Sequence, residues 1–159
     1  MIRKNFRILQ LTENDLSLMH AMMEMFGEAF ADMETYVDKA PGEDYTRGLL
    51  NSDSFIALAA LKGESVVGGI GAYELKKFEQ QRSEIYIYDL AVANGHRRQG
   101  IATALIHELK KVAYDRGAYV IFVQADTDVE DEPAIALYTK MGIREDVLHF
   151  DIPVSGGGT

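Results

Sequence analysis

Along this chain the apolar positions alternate between unbroken runs that suit a strand and wider spacings that suit a helix. Phe6 to Leu11 reads as a first strand. Leu16, Met19, Met23, Phe26 and Phe30 then recur at helical spacing, behind Thr12 as N-cap and Asp15 three residues on. This Met and aromatic stripe reads as a core face rather than a binding surface. Ala31 to Asp53 is polar and acidic, with a short helix expected over Tyr45 to Asn51. Phe55 to Leu61 and Val66 to Leu75 are apolar runs joined by Lys62-Gly63-Glu64-Ser65, a good hairpin turn. A charged connection, Lys76 to Arg82, leads to a third apolar run that ends at Val92, so the three strands predict an antiparallel meander. Ile101 to Asp115 is amphipathic and predicts a helix that buries Leu105, Leu109 and Val112, with Gly117 as its C-terminal cap. Tyr119 to Ala125 is another strand. Pro133 suits the first turn of a helix through Ala134 to Met141, ended by Gly142. Ile143 to Ile152 reads as the last strand or a pair of strands. The order predicts an α+β domain around one mixed, mostly antiparallel sheet flanked by helices.

Composition narrows the picture. A chain of 159 residues suits one domain with a real core, assigned here to residues 1–153. Ser155-Gly156-Gly157-Gly158-Thr159 reads as disordered, which makes 154–159 a tail. No apolar run approaches the ~20 residues needed to cross a membrane, and the N-terminus lacks the apolar core of a secretory signal. The absence of cysteine excludes disulfides, cysteine zinc sites and a cysteine nucleophile, and it fits a cytoplasmic enzyme. A net charge of −9, from 25 acids against 16 bases, argues against nucleic-acid binding. The acidity fits either a cationic substrate or plain solubility.

The candidate chemistry starts at Arg97-Arg98-Gln99-Gly100-Ile101-Ala102, between the strand ending at Val92 and the helix that follows. The free N–H groups of a first helical turn, the helix dipole and two arginines can hold a phosphate. The same six residues also read as a solvated turn. Asp89 is an acid inside an otherwise apolar and aromatic strand, and acids at such positions are rare without a purpose. Glu84, near the start of that strand, is a second acid candidate. Asp126, Asp128, Glu130, Asp131 and Glu132 form an acidic run after a strand, and Asp32, Glu34, Asp38, Glu43 and Asp44 form another with Tyr36 and Tyr45 among them. Either run is a solvated loop or a polycation site. His107 and His149 lack metal spacing and read as structural, so no metal is expected.

Leu90-Ala91-Val92 followed by Arg97-x-x-Gly100-x-Ala102 resembles the acetyl-CoA signature of the GNAT acyltransferase superfamily. Asp131-x-x-Ala134-x-x-Leu137-Tyr138-x-x-x-Gly142-Ile143 resembles that family's late helix motif, and the element order matches along nearly the whole chain. A narrower match covers most of residues 45 to 151. Ser83 to Val92, His96 to Ala104, Gly117 to Val120, Val123 to Asp126 and His149 to Asp151 resemble the aminoglycoside 3-N-acetyltransferases of the gentamicin-resistance type.

The resemblance implies a GNAT fold whose central strand splays from its neighbour and binds acetyl-CoA. Backbone amides from Arg98 onward, with Gln99, Gly100, Ile101, Ala102 and Thr103, would take the pyrophosphate. Arg97 and Arg98 would add charge, and Ala134 would lie against the cofactor. Leu90, Ala91 and Val92 would hold the pantetheine through their backbone, with the Leu90 N–H polarising the thioester carbonyl. Tyr138 matches the family tyrosine that faces the sulfur and acts as general acid. The family often has Asn where Asp131 stands; Asp also caps the late helix well, but a CoA contact from that carboxylate is not expected. Its usual base lies further back on the strand, near Tyr86, a poor base, so Asp89 or Glu84 acting directly or through water takes that role. Asp89, Asp126, Asp128, Glu130, Glu132 and Tyr36 would bind a cationic aminoglycoside.

The reading is an acetyl-CoA-dependent N-acetyltransferase acting on the 3-amino group of gentamicin-type drugs by direct transfer in a ternary complex, giving resistance. The family implies a homodimer. Another polyamine or a protein amine as acceptor, or a non-catalytic acyl-CoA-binding module, are the alternatives.

Overall fold

A computed structural model describes residues 5–155. They divide into two compact units, one ending at Gln124 and one beginning at Ala125. Residues 156–159 of the expected tail lie outside the described residues.

In the first unit five strands stand side by side in chain order: β1 (Arg7–Gln10), β2 (Phe55–Lys62), β3 (Ser65–Lys76), β4 (Ser83–Val92) and β5 (Ala118–Val123). The first four pair antiparallel and β5 runs parallel to β4. A parallel neighbour needs a long crossover, and helix α3 (Ile101–Arg116) supplies it. Helices α1 (Leu16–Ala29) and α2 (Glu43–Leu50) and a π-helical turn (Glu34–Asp38) complete the unit. The meander, the hairpin closing at Lys62↔Ser65 and the cap at Gly117 follow the pattern read from the sequence.

Two adjacent glycines show what covers the sheet. A methyl group added at Gly68 would meet Ile101 Cγ2 at 2.9 Å and Leu105 Cδ1 at 3.4 Å, both on α3. One added at Gly69 would meet Met22 of α1, with Cγ at 2.8 Å, and the Leu58 carbonyl oxygen at 3.2 Å. Successive strand residues point to opposite faces, so α3 packs on one face of the sheet and α1 on the other. Helices on both sides leave Phe55 to Leu61 with no solvent face, and all seven are buried. This is why β2 is continuously apolar rather than alternating. Met22 is fully buried against β3, and such burial contributes about 1.5–3 kcal/mol.

Three expectations are corrected. Thr12 does not cap α1. The helix begins at Leu16 behind Asp15, whose carboxylate accepts hydrogen bonds from the Thr12 N–H (2.7 Å) and hydroxyl (3.1 Å). Thr12 is drawn instead into a local turn, its hydroxyl oxygen accepting from the Asn14 N–H. In the second unit a short 3-10 turn (Val129–Asp131) leads into α4 (Glu132–Met141). Asp131 does not cap α4 through its side chain; its carboxylate accepts from the Asp126 N–H at 2.8 Å. Residues 143–152 form no strand. Their alternation suits one, but a strand also needs a ladder partner, and Leu148, Phe150 and Ile152 are exposed.

Replacing Gly69 with Ala should destabilise the fold by about 1–3 kcal/mol, because the methyl group displaces a fully buried methionine against a fixed carbonyl. Chemical denaturation measures it. A stability equal to the parent would show that α1 does not press on β3 here.

Candidate functional site

Strand β4 carries one residue too many for its partner. Gly71 pairs with Asp89 and Ala72 with Ile87, so Tyr88 is the extra residue of a β-bulge. Pairs in register share a face. Ala72 lies in phase with Gly68 on the α3 face, so Ile87 lies there too; Gly71 lies in phase with Gly69, so Asp89 faces α1. Plain alternation would have put Asp89 in phase with Ile85 and Ile87, both buried. The bulge instead turns it to the opposite face, beside Tyr88.

There Asp89 lines a cavity of about 140 Å³, with Met19, Phe26, Tyr36, Phe55, Tyr73 and Tyr88 among the walls. The Tyr36 hydroxyl donates to Asp89 Oδ2 at 2.9 Å. Tyr36 is fixed by the π-helical turn and by tilted ring contacts with Phe26 (5.9 Å) and Phe30 (5.6 Å). Burial holds the Asp89 carboxyl above the ordinary aspartate range, and the Tyr36 hydrogen bond opposes that rise. Burial, then the Asp89 charge, pushes the Tyr36 hydroxyl well above the usual tyrosine range. The result is a partly buried acid with one hydrogen-bond donor and apolar walls, a group able to accept a proton from a bound amine.

Just before the bulge, β4 loses its other neighbour. Pairing with β5 ends at Ile87↔Val123, while β4 continues to Val92. The Ala93 N–H donates to the Val67 carbonyl at 2.8 Å, toward β3. Alternation along the strand therefore turns the Leu90 and Val92 N–H groups to the edge that β5 leaves open. Leu90, Ala91 and Val92 are half-buried.

The chain then passes through a short 3-10 turn, Asn94–His96, to Arg97. Arg98 and Gly100 both take positive φ, 61° and 81°. For Arg98 this left-handed backbone costs about 1–2 kcal/mol. Residues Arg97 to Gly100 are exposed, and no acid occupies the first turn of α3. The first intrahelical bond runs from the Ala104 N–H to the Gly100 carbonyl at 3.0 Å. The N–H groups of Ile101, Ala102 and Thr103 thus have no intrahelical acceptor. Donors without an intrahelical acceptor, a positive helix end and two exposed arginines fit an anionic phosphate. Arg97 also reaches back, its Nε donating to the Val92 carbonyl at 3.3 Å.

Glu84 and Tyr86 lie further back on β4. Glu84 is at the opposite end of β4, about 16 Å from Asp89 along the strand. It accepts a hydrogen bond from the Tyr119 hydroxyl and lies 3.7 Å from Lys77. Tyr86 donates to Gln124 Oε1 at 3.0 Å and stacks on Phe122. Asp126, Asp128, Glu130, Glu132, Ala134 and Tyr138 belong to the second unit. The four acids are exposed and Ala134 is half-buried. Tyr138 is half-buried; burial, then the Asp131 charge, raises its hydroxyl to about 12. Among the described residues no cluster of His, Asp and Glu is arranged to hold a metal ion, and no helix is long and apolar enough to cross a membrane. The sequence reading missed the Tyr36–Asp89 pair, which joins residues 53 positions apart.

Comparison with known proteins gives the family. Residues 18–143 match the Acetyltransferase (GNAT) family. The chain is similar to an aminoglycoside acetyltransferase from an uncultured soil metagenomic sample, at 66% identity and TM-score 0.93, covering 94% of this chain and 99% of that one. It is also similar to a second such enzyme from soil, solved in complex with sisomicin, at 30% identity and TM-score 0.85, covering 94% and 97%. Among curated proteins it is 32% identical over 107 residues to N-acetyltransferase 8B of Rattus norvegicus, covering 67% of this chain and 47% of that one. It is 30% identical over 128 residues to a probable N-acetyltransferase family 8 member 5 of Mus musculus, covering 80% and 55%. The chain thus spans about half the length of these curated relatives.

The Tyr36 hydrogen bond stabilises the Asp89 carboxylate, so Tyr36→Phe should move the Asp89 titration to higher pH. Carboxyl-carbon NMR measures it. A midpoint that stays or falls would mean that the bond does not hold the charged form.

Proposed function

This chain belongs to the acetyltransferase (GNAT) family, and on that premise we propose that it moves the acetyl group of acetyl-CoA to the 3-amino group of an aminoglycoside of the gentamicin and sisomicin type. The observation that carries the reading is Asp89, turned by the bulge into a cavity one residue before the amide of Leu90. The 66% identical aminoglycoside acetyltransferase and the relative bound to sisomicin support the acceptor class. The position of the acetylated amine follows from the resemblance of Ser83 to Val92 and His149 to Asp151.

Acetyl-CoA, when bound, supplies an acyl group activated as a thioester. The Arg97–Thr103 segment would hold its pyrophosphate, and the open edge at Leu90 to Val92 its pantetheine. An ammonium group cannot attack, because its nitrogen has no free electron pair. Asp89 accepts that proton directly or through one water, and its raised affinity for protons brings it closer to the task than an ordinary aspartate. The Leu90 N–H, turned to the open strand edge, would be the donor for the thioester carbonyl oxygen. By the family resemblance Tyr138 is the general acid for the leaving thiolate, and a hydroxyl raised to about 12 keeps the proton such a role needs at neutral pH. Transfer is direct within a ternary complex, where proximity and orientation supply much of the acceleration.

By the same resemblance the exposed acids Asp126, Asp128, Glu130 and Glu132 would take the remaining ammonium groups. Acetylation removes a charge that the drug uses to bind RNA, which gives resistance. A second reading is an acceptor that is another polyamine or a protein amine.

With acetyl-CoA, the chain should add one acetyl group to sisomicin and leave spermidine and a lysine peptide unmodified, as read by mass detection. Asp89→Asn should lower kcat/KM for sisomicin by about 10²–10⁴-fold while acetyl-CoA still binds. Absence of turnover with any aminoglycoside would overturn the reading, and full activity in Asp89→Asn would remove that residue from the mechanism.

A further inference from the structure

One consequence of the bulge lies beside Asp89 rather than on it. Phe55, Tyr73, Tyr86 and Phe122 are cross-strand partners on successive strands, Phe55↔Tyr73, Tyr73↔Tyr86 and Tyr86↔Phe122, so they share one face. Their rings touch in series. Phe55 and Tyr73 are 5.4 Å apart between centroids, and Tyr86 stacks on Phe122 at 4.7 Å with 12° between planes. The bulge residue Tyr88 closes the gap edge-on, 6.0 Å from Tyr73 with 84° between planes and 5.9 Å from Tyr86 with 65°, so the surface is corrugated rather than flat. The rings form a continuous aromatic floor across four strands, with the Asp89 carboxylate next to its central ring.

Most of this floor is not core. Tyr88 is 63% exposed, and Tyr73, Tyr86 and Phe122 are half-buried. A large exposed ring between two other rings, beside a partly buried acid, is costly to leave facing water unless something stacks on it. Flat π faces attract positive charge and take up the C–H faces of a rigid ring. The carboxylate takes one ammonium group, while the rings take a ring-shaped body carrying more of them.

We infer that the Phe55–Tyr73–Tyr88–Tyr86–Phe122 floor is the acceptor subsite that selects a rigid amino-sugar ring over a linear polyamine. The inference rests on the reading of the chain as an aminoglycoside acetyltransferase and adds what recognises the acceptor's shape. A linear polyamine can satisfy Asp89 but offers no ring face to the floor. Tyr88 decides the outcome because it bridges the two halves of the floor and is the most exposed of its rings.

The test is the binding of sisomicin and of spermidine to the whole chain without acetyl-CoA, by calorimetry at fixed salt, for the parent, Tyr88→Leu and Tyr88→Phe. Tyr88→Leu should bind sisomicin about 5- to 30-fold more weakly and spermidine unchanged, while Tyr88→Phe keeps parental affinity. Sisomicin ring protons should shift upfield on the parent and on Tyr88→Phe, an effect of aromatic ring current that Tyr88→Leu loses. Equal sisomicin binding by Tyr88→Leu and the parent, equal losses for both ligands, or no binding of sisomicin by the parent would each overturn the inference. Binding with the expected Tyr88 dependence but without turnover would uphold the floor and defeat the enzymatic reading, so the two failures are distinguishable.

Discussion

Strand β4 must pack isoleucines against α3 and present an acid to the opposite face within five residues, and a regular strand cannot do both. The extra residue at Tyr88 resolves the conflict. Ile85 and Ile87 stay buried under α3, and Asp89 turns toward α1. Had the alternation run on, the carboxylate would have entered an apolar interface, where an unpaired charge costs several kcal/mol. The same insertion sets Tyr88 beside Asp89, so that the acid and the aromatic floor arise from one backbone irregularity. A bulge also strengthens local twist, and pairing with β5 stops at Ile87↔Val123, just before it. The open strand edge and the acid therefore lie within three residues of each other.

The loop beyond β4 shows a second constraint. Arg98 adopts a left-handed backbone that glycine would adopt without cost. Strain of this kind persists where the surroundings fix it, often at a ligand site. Here it lies at the start of α3, where N–H groups without intrahelical acceptors stand beside two exposed arginines, with no acid in the first helical turn. The proposed pyrophosphate would take up those donors, and its charge would complement the helix end.

Much of this was legible in the sequence, and the failures have physical causes. Continuous apolar runs announced β2 and β3, because both of their faces are covered. The glycines at 100 and 117 marked the ends of α3. Asp89 was conspicuous as an acid in phase with Ile85 and Ile87, which is also the clue to the bulge: a charge in a buried phase implies that the phase breaks. Its partner Tyr36 was not legible as such, because the contact depends on a π-helical turn with no distinctive pattern and on a separation of 53 residues. Glu84 was legible near the start of the strand, and it lies there, next to Lys77 and Tyr119. Residues 143–152 read as a strand because periodicity describes a chain's own pattern and cannot supply the neighbour that a ladder requires.

The most direct measurement of the central claim is the distance between Asp89 and the acceptor's reactive nitrogen in a crystal structure with CoA and sisomicin. The account predicts that the 3-amino nitrogen lies within hydrogen-bond reach of an Asp89 oxygen, directly or through one water, near the open edge at Leu90. A complex with that nitrogen at Glu84, or one in which Asp89 contacts only Tyr36 while sisomicin binds elsewhere, would contradict it.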